Sequence, residues 1–297
     1  MGQKTYLKKA LFNLLSYRQI NTLRKIKWMF LNFFVDDIKE IKKFYTTEIE
    51  IKLLEHILPV FCKNSVEPTI MDIGANIGGY SYYLAPMIEK QNGKCIAFEP
   101  GSKTYKRLIQ NVICNSFVPE HMAISNSNGF LNLYLPTSHG CSSFVYRPEF
   151  EGLKTEEVAV CKLDDYVKNN KLDNICFIKI DVEGHEIEVI EGAIQAIQQY
   201  HPILLCESEN RHISHTGKST QLFIELITKM KYKGYVISKD TFEILSVNDI
   251  IIPENKNSME TYFYNYWFFP EHLDKKLVIF IHNYLKQLKN RKRISSV

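Results

Sequence analysis

The sequence has no acidic residue in its first 35 positions and none after Asp274, although each of these two stretches carries seven lysines and arginines. Because the net charge of the whole chain is +4, the middle between them carries a net charge of −10. Two basic ends on an acidic body predict contact with an anionic surface such as phospholipid or nucleic acid. For each end taken alone, a solvated helix face is the alternative.

The sequence also lacks paired cysteines and long apolar runs. Its seven cysteines are scattered, and none forms a C-x-x-C pair. This pattern argues against a zinc site or a disulfide framework and predicts a reducing, cytoplasmic compartment. No apolar run approaches the roughly 18 residues that a membrane-spanning helix needs, and the start is too weakly apolar for a secretory signal.

The two basic ends are predicted to be helical. Residues 4–45 carry a wide apolar, aromatic face beside basic residues, and 275–297 repeat this pattern. Such helices can lie in a membrane interface, or they can bury the same face against protein. We therefore predict a basic amphipathic helical extension at 1–50, a main domain at 51–270 and a basic C-terminal helix at 271–297.

Strands and helices alternate through the main domain. Strands are predicted at 69–74, 94–99, 118–124, 130–135, 158–163, 175–181, 202–207, 235–239 and 261–269, and helices at 48–61, 78–90, 102–114, 185–199 and 219–231. This alternation predicts an α/β fold with an open, mostly parallel sheet covered by helices on both faces.

The stretch from Thr69 to Pro100 reads as strand, glycine-rich turn, helix and strand. A glycine-rich turn lets the backbone approach a ligand closely, and the helix after it offers free N–H groups. Glu99 ends the second strand, where it can accept hydrogen bonds from a ribose. The stretch therefore predicts a nucleoside-binding unit.

Polar residues end several predicted strands. They are Asp72, Glu99, Ser125, Asp181 and Glu207. Ligands bind beyond the carboxyl edge of an open α/β sheet, so these side chains are expected to meet at a functional site. Capping of the next helix is the alternative reading of each acid alone.

The charge of Asp72 bears on the choice of nucleoside. In D-I-G-A-N-I-G-G an acid precedes the turn, where it would repel a pyrophosphate and attract an ammonium or sulfonium group. The pattern therefore favours S-adenosylmethionine over a nicotinamide dinucleotide.

Four ordered motifs within residues 69–207 resemble the FkbM family of S-adenosylmethionine-dependent methyltransferases. They are DIGANIGGYS, AFEP, FIKIDVEGHEIEVIEGA and PILLCE. The resemblance implies the Rossmann-like class I methyltransferase fold, a seven-stranded sheet whose last strand, here 261–269, is antiparallel. It also implies an O-methyltransferase whose acceptor is a hydroxyl of a sugar, a glycolipid or a related small molecule.

The resemblance assigns roles to individual residues. The methionine part of the cofactor and its turn would be held by Asp72, Gly74, Asn76 and Gly78. Glu99 would accept the ribose hydroxyls, and Ser125 or Asn126 would lie near the adenine. Asp181 would lie beside the reacting methyl group.

Methyl transfer to an alcohol needs alignment of the oxygen and removal of its proton. His185 is the leading candidate base, since histidine exchanges protons near neutral pH. Asp181 could orient His185 or take the proton itself. The alternative is that His185 only hydrogen-bonds the loop at a helix N-terminus, and Glu183 likewise has both a catalytic and a structural interpretation. Lys179 is expected to pair with Asp181 or Glu207, because a buried lysine is rarely left unpaired.

No metal site is predicted. Asp181, Glu207, Glu209 and Asn210 nevertheless offer oxygen ligands that could bind a divalent cation.

Two further functions compete with sugar methylation. A non-catalytic, membrane-associated scaffold that retains the fold would account for the basic ends. A nucleic-acid methyltransferase would also account for them. However, the chain has no N-P-P-Y-like motif, and its ends lack the interleaved aromatic and basic residues that line a channel for single-stranded nucleic acid. The polar loop 136–157 and the segment 208–218 are expected to shape the acceptor pocket.

Overall fold

The computed structural model describes residues 48–62, 67–136, 142–252 and 263–294. The predicted helical segment 4–45, and with it nearly all of the proposed extension 1–50, lies outside these ranges.

The described strands form two sheets. In chain order they are β1 Thr69–Ile73, β2 Lys94–Phe98, β3 Phe117–Glu120, β4 Ala123–Ile124, β5 Gly129–Leu135, β6 Lys154–Cys161, β7 Ile175–Ile180, β8 Ile203–Glu207, β9 Tyr232–Ser238, β10 Glu243–Ser246 and β11 Asn265–Pro270. The main sheet has eight strands in the order β10-β9-β11-β8-β7-β1-β2-β3, and a second sheet has the order β4-β6-β5.

The main sheet contains the expected class I arrangement of seven strands. β11 is antiparallel to both of its neighbours, β8 and β9, whereas β3, β2, β1, β7 and β8 are parallel to one another. This confirms the predicted antiparallel last strand. The eighth strand, β10, pairs antiparallel with β9 at the edge of the sheet and was not predicted.

Helices cover both faces of the main sheet. They are α1 Ile49–Phe61, α2 Gly79–Glu89, α3 Ser102–Gln110, α4 Leu163–Asn169, α5 Glu186–Glu191, α6 Ile194–Tyr200, α7 Asn210–Ile213, α8 Thr220–Thr228 and α9 Glu271–Ile294. Buried side chains of α1, α2, α3 and α9 form one core, and those of α4, α5, α6 and α8 form the other. Successive residues of the strands alternate between these cores, so the parallel strands are apolar on both faces.

The predicted strand 118–124 is in fact two strands. β3 ends the main sheet at Glu120, and β4 belongs to the second sheet, where it pairs with β6. Pro119 has no N–H to donate, which suits its place in the edge strand β3. The predicted strands 130–135 and 158–163 correspond to β5 and to the second half of β6, which begins at Lys154.

The predicted helix 185–199 is also divided, into α5 and α6. A Cβ atom at Gly192 would lie 1.9 Å from the carbonyl oxygen of Ser125, so only glycine permits this approach of two backbones. The second half then begins as a new helix, because the Asp164 carboxylate accepts hydrogen bonds from the N–H groups of Gln195 and Ala196.

The C-terminal helix α9 packs on the domain. Leu277, Ile281 and Leu285 are fully buried in the core that α1 shares. The ring of Tyr284 lies 3.8 Å from that of His56 on α1. The apolar face of α9 is therefore covered by protein along these turns. No helix among the described ranges is long and apolar enough to cross a membrane.

Ile281 and Ile279 lie on opposite sides of α9 and form a matched pair, since Ile281 is 0% and Ile279 is 63% exposed. Ile281→Ala should reduce the free energy of unfolding by about 3 kcal/mol, because it leaves a cavity in the core. Ile279→Ala should change it by less than about 0.5 kcal/mol. Urea denaturation measures both, and equal effects would show that α9 is not docked as described.

Candidate active site

A cavity lies at the carboxyl edge of the main sheet, where β1, β2 and β7 end. Its wall comprises Ile73 and Gly74, then Phe98, Glu99 and Pro100, then Asp181 and Val182. Ala123, Ile124 and Leu133 of the second sheet, together with Ser142 and Phe144, complete it. The cavity is thus polar at the strand ends and apolar on the side of the second sheet.

The turn after β1 approaches β7 closely at Gly74. This residue has φ +79°, and a Cβ atom there would lie 1.8 Å from the carbonyl oxygen of Asp181. The N–H groups of Gly74 and Ala75 both donate to the Phe98 carbonyl at the end of β2. Glycine is required here because any side chain would separate the ends of β1 and β7.

Asn76 and Gly78 shape the rest of this turn. Both have positive φ, 53° for Asn76 and 87° for Gly78. A Cβ atom at Gly78 would lie 2.7 Å from Leu108 of α3 and 2.9 Å from Phe117 of β3. The backbone N–H of Asn76 donates to Glu99 Oε2 at 3.0 Å. The turn is therefore hydrogen-bonded to the end of β2 and packs tightly against the neighbouring α3 and β3.

Glu99 is a buried carboxylate at the wall of the cavity. Its Oε1 accepts the N–H of Gly101 at 2.9 Å, and its Oε2 accepts that of Asn76. Burial raises the pKa of Glu99 to about 7, against the lowering effect of these two hydrogen bonds. Each carboxylate oxygen can accept a second hydrogen bond, so Glu99 can bind a pair of hydroxyl groups such as those of a ribose.

Asp72 does not line the cavity. It is 1% exposed, and its Oδ2 accepts hydrogen bonds from the N–H and the hydroxyl of Ser81 in α2. Its Oδ1 lies 3.6 Å from Lys179 Nζ, which donates to Asp181 Oδ2 at 3.1 Å. The predicted Lys179–Asp181 pair is confirmed. Lys179 also offsets the negative charge of Asp72. That charge is the basis on which the sequence predicts a cationic ligand.

Ser125 and Asn126, the residues expected near adenine, are not among the residues of the cavity wall. Ser125 is fully buried, with its hydroxyl 2.9 Å from His185 Nε2. Asn126 donates to Glu191 Oε2 at 2.8 Å. The adjacent wall is formed instead by Ile124 and Leu133, which the sequence reasoning missed. The apolar alternation of their two strands was the available signal.

His185 occupies the N-cap position of α5 and is 7% exposed. Besides its contact with Ser125, its ring lies 4.9 Å from the Phe144 ring, and its Nδ1 lies 3.6 Å from Glu188 Oε2. Burial lowers the pKa of His185, while the charge of Glu188 opposes that shift. These contacts do not include Asp181, which pairs with Lys179, so the structure does not bring the two predicted catalytic residues into a hydrogen bond.

Glu183 joins three segments beside the cavity. Its Oε2 lies 2.9 Å from His212 Nδ1 and 3.7 Å from Arg147 Nη2. Its carbonyl oxygen accepts the hydroxyl of Ser143 at 2.7 Å. His212 and Arg147 are far from Glu183 along the chain, and no motif spacing in the sequence pointed to this cluster.

The four oxygen-bearing residues considered for a metal have other surroundings, and Asn210 Oδ1 accepts a hydrogen bond from the N–H of Thr220 at 2.8 Å. Asp181 pairs with Lys179, and Glu209 binds Arg211 through both carboxylate oxygens. Burial and the nearby charge of Asp181 raise the pKa of Glu207 well above its ordinary value. Within the described ranges, no group of three or more histidine, cysteine, aspartate or glutamate side chains is arranged to hold a metal ion.

Comparison with protein families matches residues 72–237, more than half of the chain, to the Methyltransferase FkbM domain. The chain belongs to this family. Its members are S-adenosylmethionine-dependent methyltransferases, and the cavity walled by Gly74 and Glu99 lies where the fold places its ligand.

Two curated relatives of this FkbM chain are methyltransferases. Hexuronic acid methyltransferase AglP of Haloferax volcanii is 26% identical over 141 residues, which cover 47% of this chain and 55% of the relative. Methyltransferase sdnD of Sordaria araneosa is 26% identical over 208 residues, covering 59% of this chain and 76% of the relative. The match thus spans little more than half the length of AglP.

Solved structures are more distant. A methyltransferase FkbM from Methylobacillus flagellatus is 17% identical with a TM-score of 0.42, and the match covers 68% of this chain and 44% of that one. An O-methyltransferase from Bacillus cereus, in complex with SAH, is 11% identical with a TM-score of 0.42, and the match covers 75% and 80%.

Gly74→Ala should be far more damaging than Gly152→Ala. Both glycines have positive φ, +79° and +71°, so both substitutions carry the same kind of backbone strain, about 1 kcal/mol. Only Gly74 lacks room for a methyl group, since nothing lies within 4 Å of a Cβ atom at Gly152. We expect Gly74→Ala to cost at least about 2 kcal/mol more in urea denaturation. Equal costs would contradict the close contact with Asp181.

Glu99 should make stability depend on pH. Its pKa rises from 4.5 to about 7 on folding, so the folded protein binds more protons and loses stability as pH rises between these values. The loss is about 3 kcal/mol at most. In Glu99→Gln this component is absent, so unfolding measured from pH 4.5 to 7.5 should give a shallower decline than in the wild type. Parallel curves would contradict the assignment.

Proposed function

We propose that the protein is an S-adenosylmethionine-dependent O-methyltransferase whose acceptor is a hydroxyl group of a sugar, a glycolipid or a related small molecule. The observation that carries the proposal is the buried Glu99 carboxylate, held by two backbone N–H groups at the wall of a cavity that Gly74 opens. That arrangement suits a ribose next to a closely approaching backbone.

The residues of the cavity fit the parts of this cofactor. Glu99 would accept the ribose hydroxyls, and the apolar side chains of Ile124 and Leu133 would contact the adenine. The turn through Gly74, which Asp72 supports through Ser81, would hold the methionine part close to Asp181. The bound cofactor would supply an electrophilic methyl group.

A cluster of aromatic side chains next to the cavity supports a sugar acceptor. The ring of Tyr134 lies 5.7 Å from that of Tyr146 and 5.8 Å from that of Phe150. Tyr146 is 51% exposed and lies in the segment whose Ser142 and Phe144 line the cavity. The exposed ring of Tyr146, supported by the half-buried Tyr134 and the buried Phe150, offers a flat apolar face to the C–H groups of a sugar. The activity of AglP on a hexuronic acid points in the same direction.

Transfer to a hydroxyl requires that its proton leave as the new O–C bond forms. Asp181, Glu183 and His185 all follow β7 closely, and Asp181 lines the cavity. We assign proton removal to this loop and its immediate contacts. Peripheral attachment to an anionic membrane through residues 4–45 and the exposed basic side of α9 would bring the enzyme to a glycolipid acceptor.

The proposal predicts both cofactor binding and transfer. Calorimetry should show S-adenosylhomocysteine binding in the micromolar range, weakened at least tenfold in Glu99→Ala, because one accepting group for the ribose is lost. Labelled methyl groups should pass from S-adenosylmethionine to p-nitrophenyl glucoside, p-nitrophenyl glucuronide or a glycolipid extract.

The linkage formed in that assay distinguishes the acceptor group. A methyl ether survives mild alkali, whereas a methyl ester on the glucuronide carboxylate does not. Mass spectrometry before and after alkali should therefore find the transferred methyl group retained. A folded wild-type protein that fails to bind S-adenosylhomocysteine would overturn the proposal, and labile ester products would overturn its hydroxyl acceptor.

A further inference from the structure

We propose that His212 takes the proton from the acceptor hydroxyl and that Glu183 holds His212 in place for this step. The inference rests on the hydroxyl methylation proposed above. It assigns the base to a histidine outside the KIDVEGHE motif, so that Glu183 acts through His212 rather than on the acceptor itself.

The position of His212 is fixed relative to the cavity by two contacts. Its Nδ1 lies 2.9 Å from Glu183 Oε2. A Cβ atom at Gly184 would lie 3.2 Å from the backbone of His212, so the loop after β7 packs directly on α7. Val182, the residue before Glu183, is part of the cavity wall. The imidazole is thus joined to the wall through one short loop.

The two nitrogens of His212 have different surroundings. Nδ1 faces the Glu183 carboxylate, while none of the described residues pairs a polar atom with Nε2. The contact is a close approach rather than an aligned hydrogen bond, since Glu183 Oε2 has no hydrogen-bond partner among the described residues. The negative charge of a carboxylate this close to Nδ1 favours the tautomer that is protonated there and leaves a lone pair on Nε2. That lone pair is what a general base needs.

His185 has less freedom to accept a proton. Its Nε2 is engaged by the Ser125 hydroxyl at 2.9 Å. On its other side, Glu188 is shared with Lys218, whose Nζ lies 2.7 Å from Glu188 Oε1. These contacts suit a side chain that fixes Phe144 and the start of α5 beside the cavity, which is a positioning role.

Glu183 itself is held in an unusual conformation. Its φ is 55°, a left-handed value that costs a residue with a side chain about 1 kcal/mol. Such conformations persist where surrounding contacts fix them, and they concentrate at functional sites. Here Ser143 binds the Glu183 carbonyl oxygen, while Arg147 and His212 face its carboxylate.

The proposed methyl transfer needs no reactant other than the cofactor and the acceptor. The acceptor oxygen forms its bond to the methyl carbon as the bond between sulfur and that carbon breaks, and the electron pair of the broken bond stays on sulfur. The hydroxyl proton moves to His212 Nε2 and later to solvent. The Glu183 carboxylate stabilises the resulting imidazolium.

The kinetic test compares His212→Gln with His185→Gln, and uses His282→Gln on α9 as the control because His282 is exposed. With whichever acceptor from the assay above gives turnover, His212→Gln should lower kcat at least 100-fold and leave the acceptor KM and S-adenosylhomocysteine affinity within threefold. Glu183→Gln should lower kcat about tenfold or more, and His282→Gln should match the wild type.

A kcat for His212→Gln within threefold of the wild type would overturn the inference, as would a larger loss in His185→Gln. An ester product would also overturn it, since a carboxylate acceptor has no proton to remove.

A second measurement needs no acceptor and keeps the inference testable if no turnover is found. In protein labelled with ¹⁵N-histidine, NMR should show neutral His212 protonated on Nδ1 in the wild type and mainly on Nε2 in Glu183→Ala. Protonation on Nε2 in the wild type would overturn the inference. Failure of S-adenosylhomocysteine to bind would instead overturn the proposed function, so the two failures are distinct.

Discussion

The contact between the backbone of Gly74 and the carbonyl of Asp181 determines how the carboxyl edge of the sheet is built. A side chain on residue 74 would collide at 1.8 Å, so β1 and β7 can end side by side only with glycine in the turn. The same turn donates its N–H groups to the end of β2 and, through Asn76, to Glu99. Three strand ends are therefore positioned by one short segment of backbone.

This arrangement buries acidic groups close together, and the chain offsets that cost in different ways. Lys179 lies between Asp72 and Asp181, so two carboxylates share one cation. Glu99 relies on backbone N–H groups instead, and burial still raises its pKa to about 7. Glu183 has the Arg147 guanidinium 3.7 Å from its carboxylate. Neutralisation by paired cations or hydrogen bonds is what permits charged groups in a low-dielectric site.

Local pattern predicted most of the fold. The apolar run of β7 and the glycine turn after β1 follow from rules that act within one segment, and the structure has both of them. The antiparallel β11 was implied by the family resemblance, and the structure has it as well. The division of the helix at Gly192 could not be predicted, because it depends on the approach of Ser125 from another part of the chain. The edge strand β10 is short and half-exposed, with too weak a pattern to be recognised.

In the candidate site, too, positions set by local pattern were predicted, whereas contacts between distant parts of the chain were not. Glu99 and Asp181 lie at the cavity as their places at strand ends predicted. Asp72 was predicted to face a ligand because of its sign, but Lys179 and Ser81 occupy its carboxylate, and no local pattern reveals which of two neighbouring charges reaches a cavity. The cluster of Glu183, His212 and Arg147 depends on three separate segments and has no sequence signature.

The second sheet has a consequence for how the shape of the cavity can change. β4, β5 and β6 pair with one another and with none of the main-sheet strands, yet Ala123, Ile124 and Leu133 form one wall of the cavity. The connection between β5 and β6 also supplies Ser142 and Phe144 to that wall. Insertions or substitutions in this hairpin can therefore remodel the entrance while the strand ends that hold Gly74, Glu99 and Asp181 stay in register.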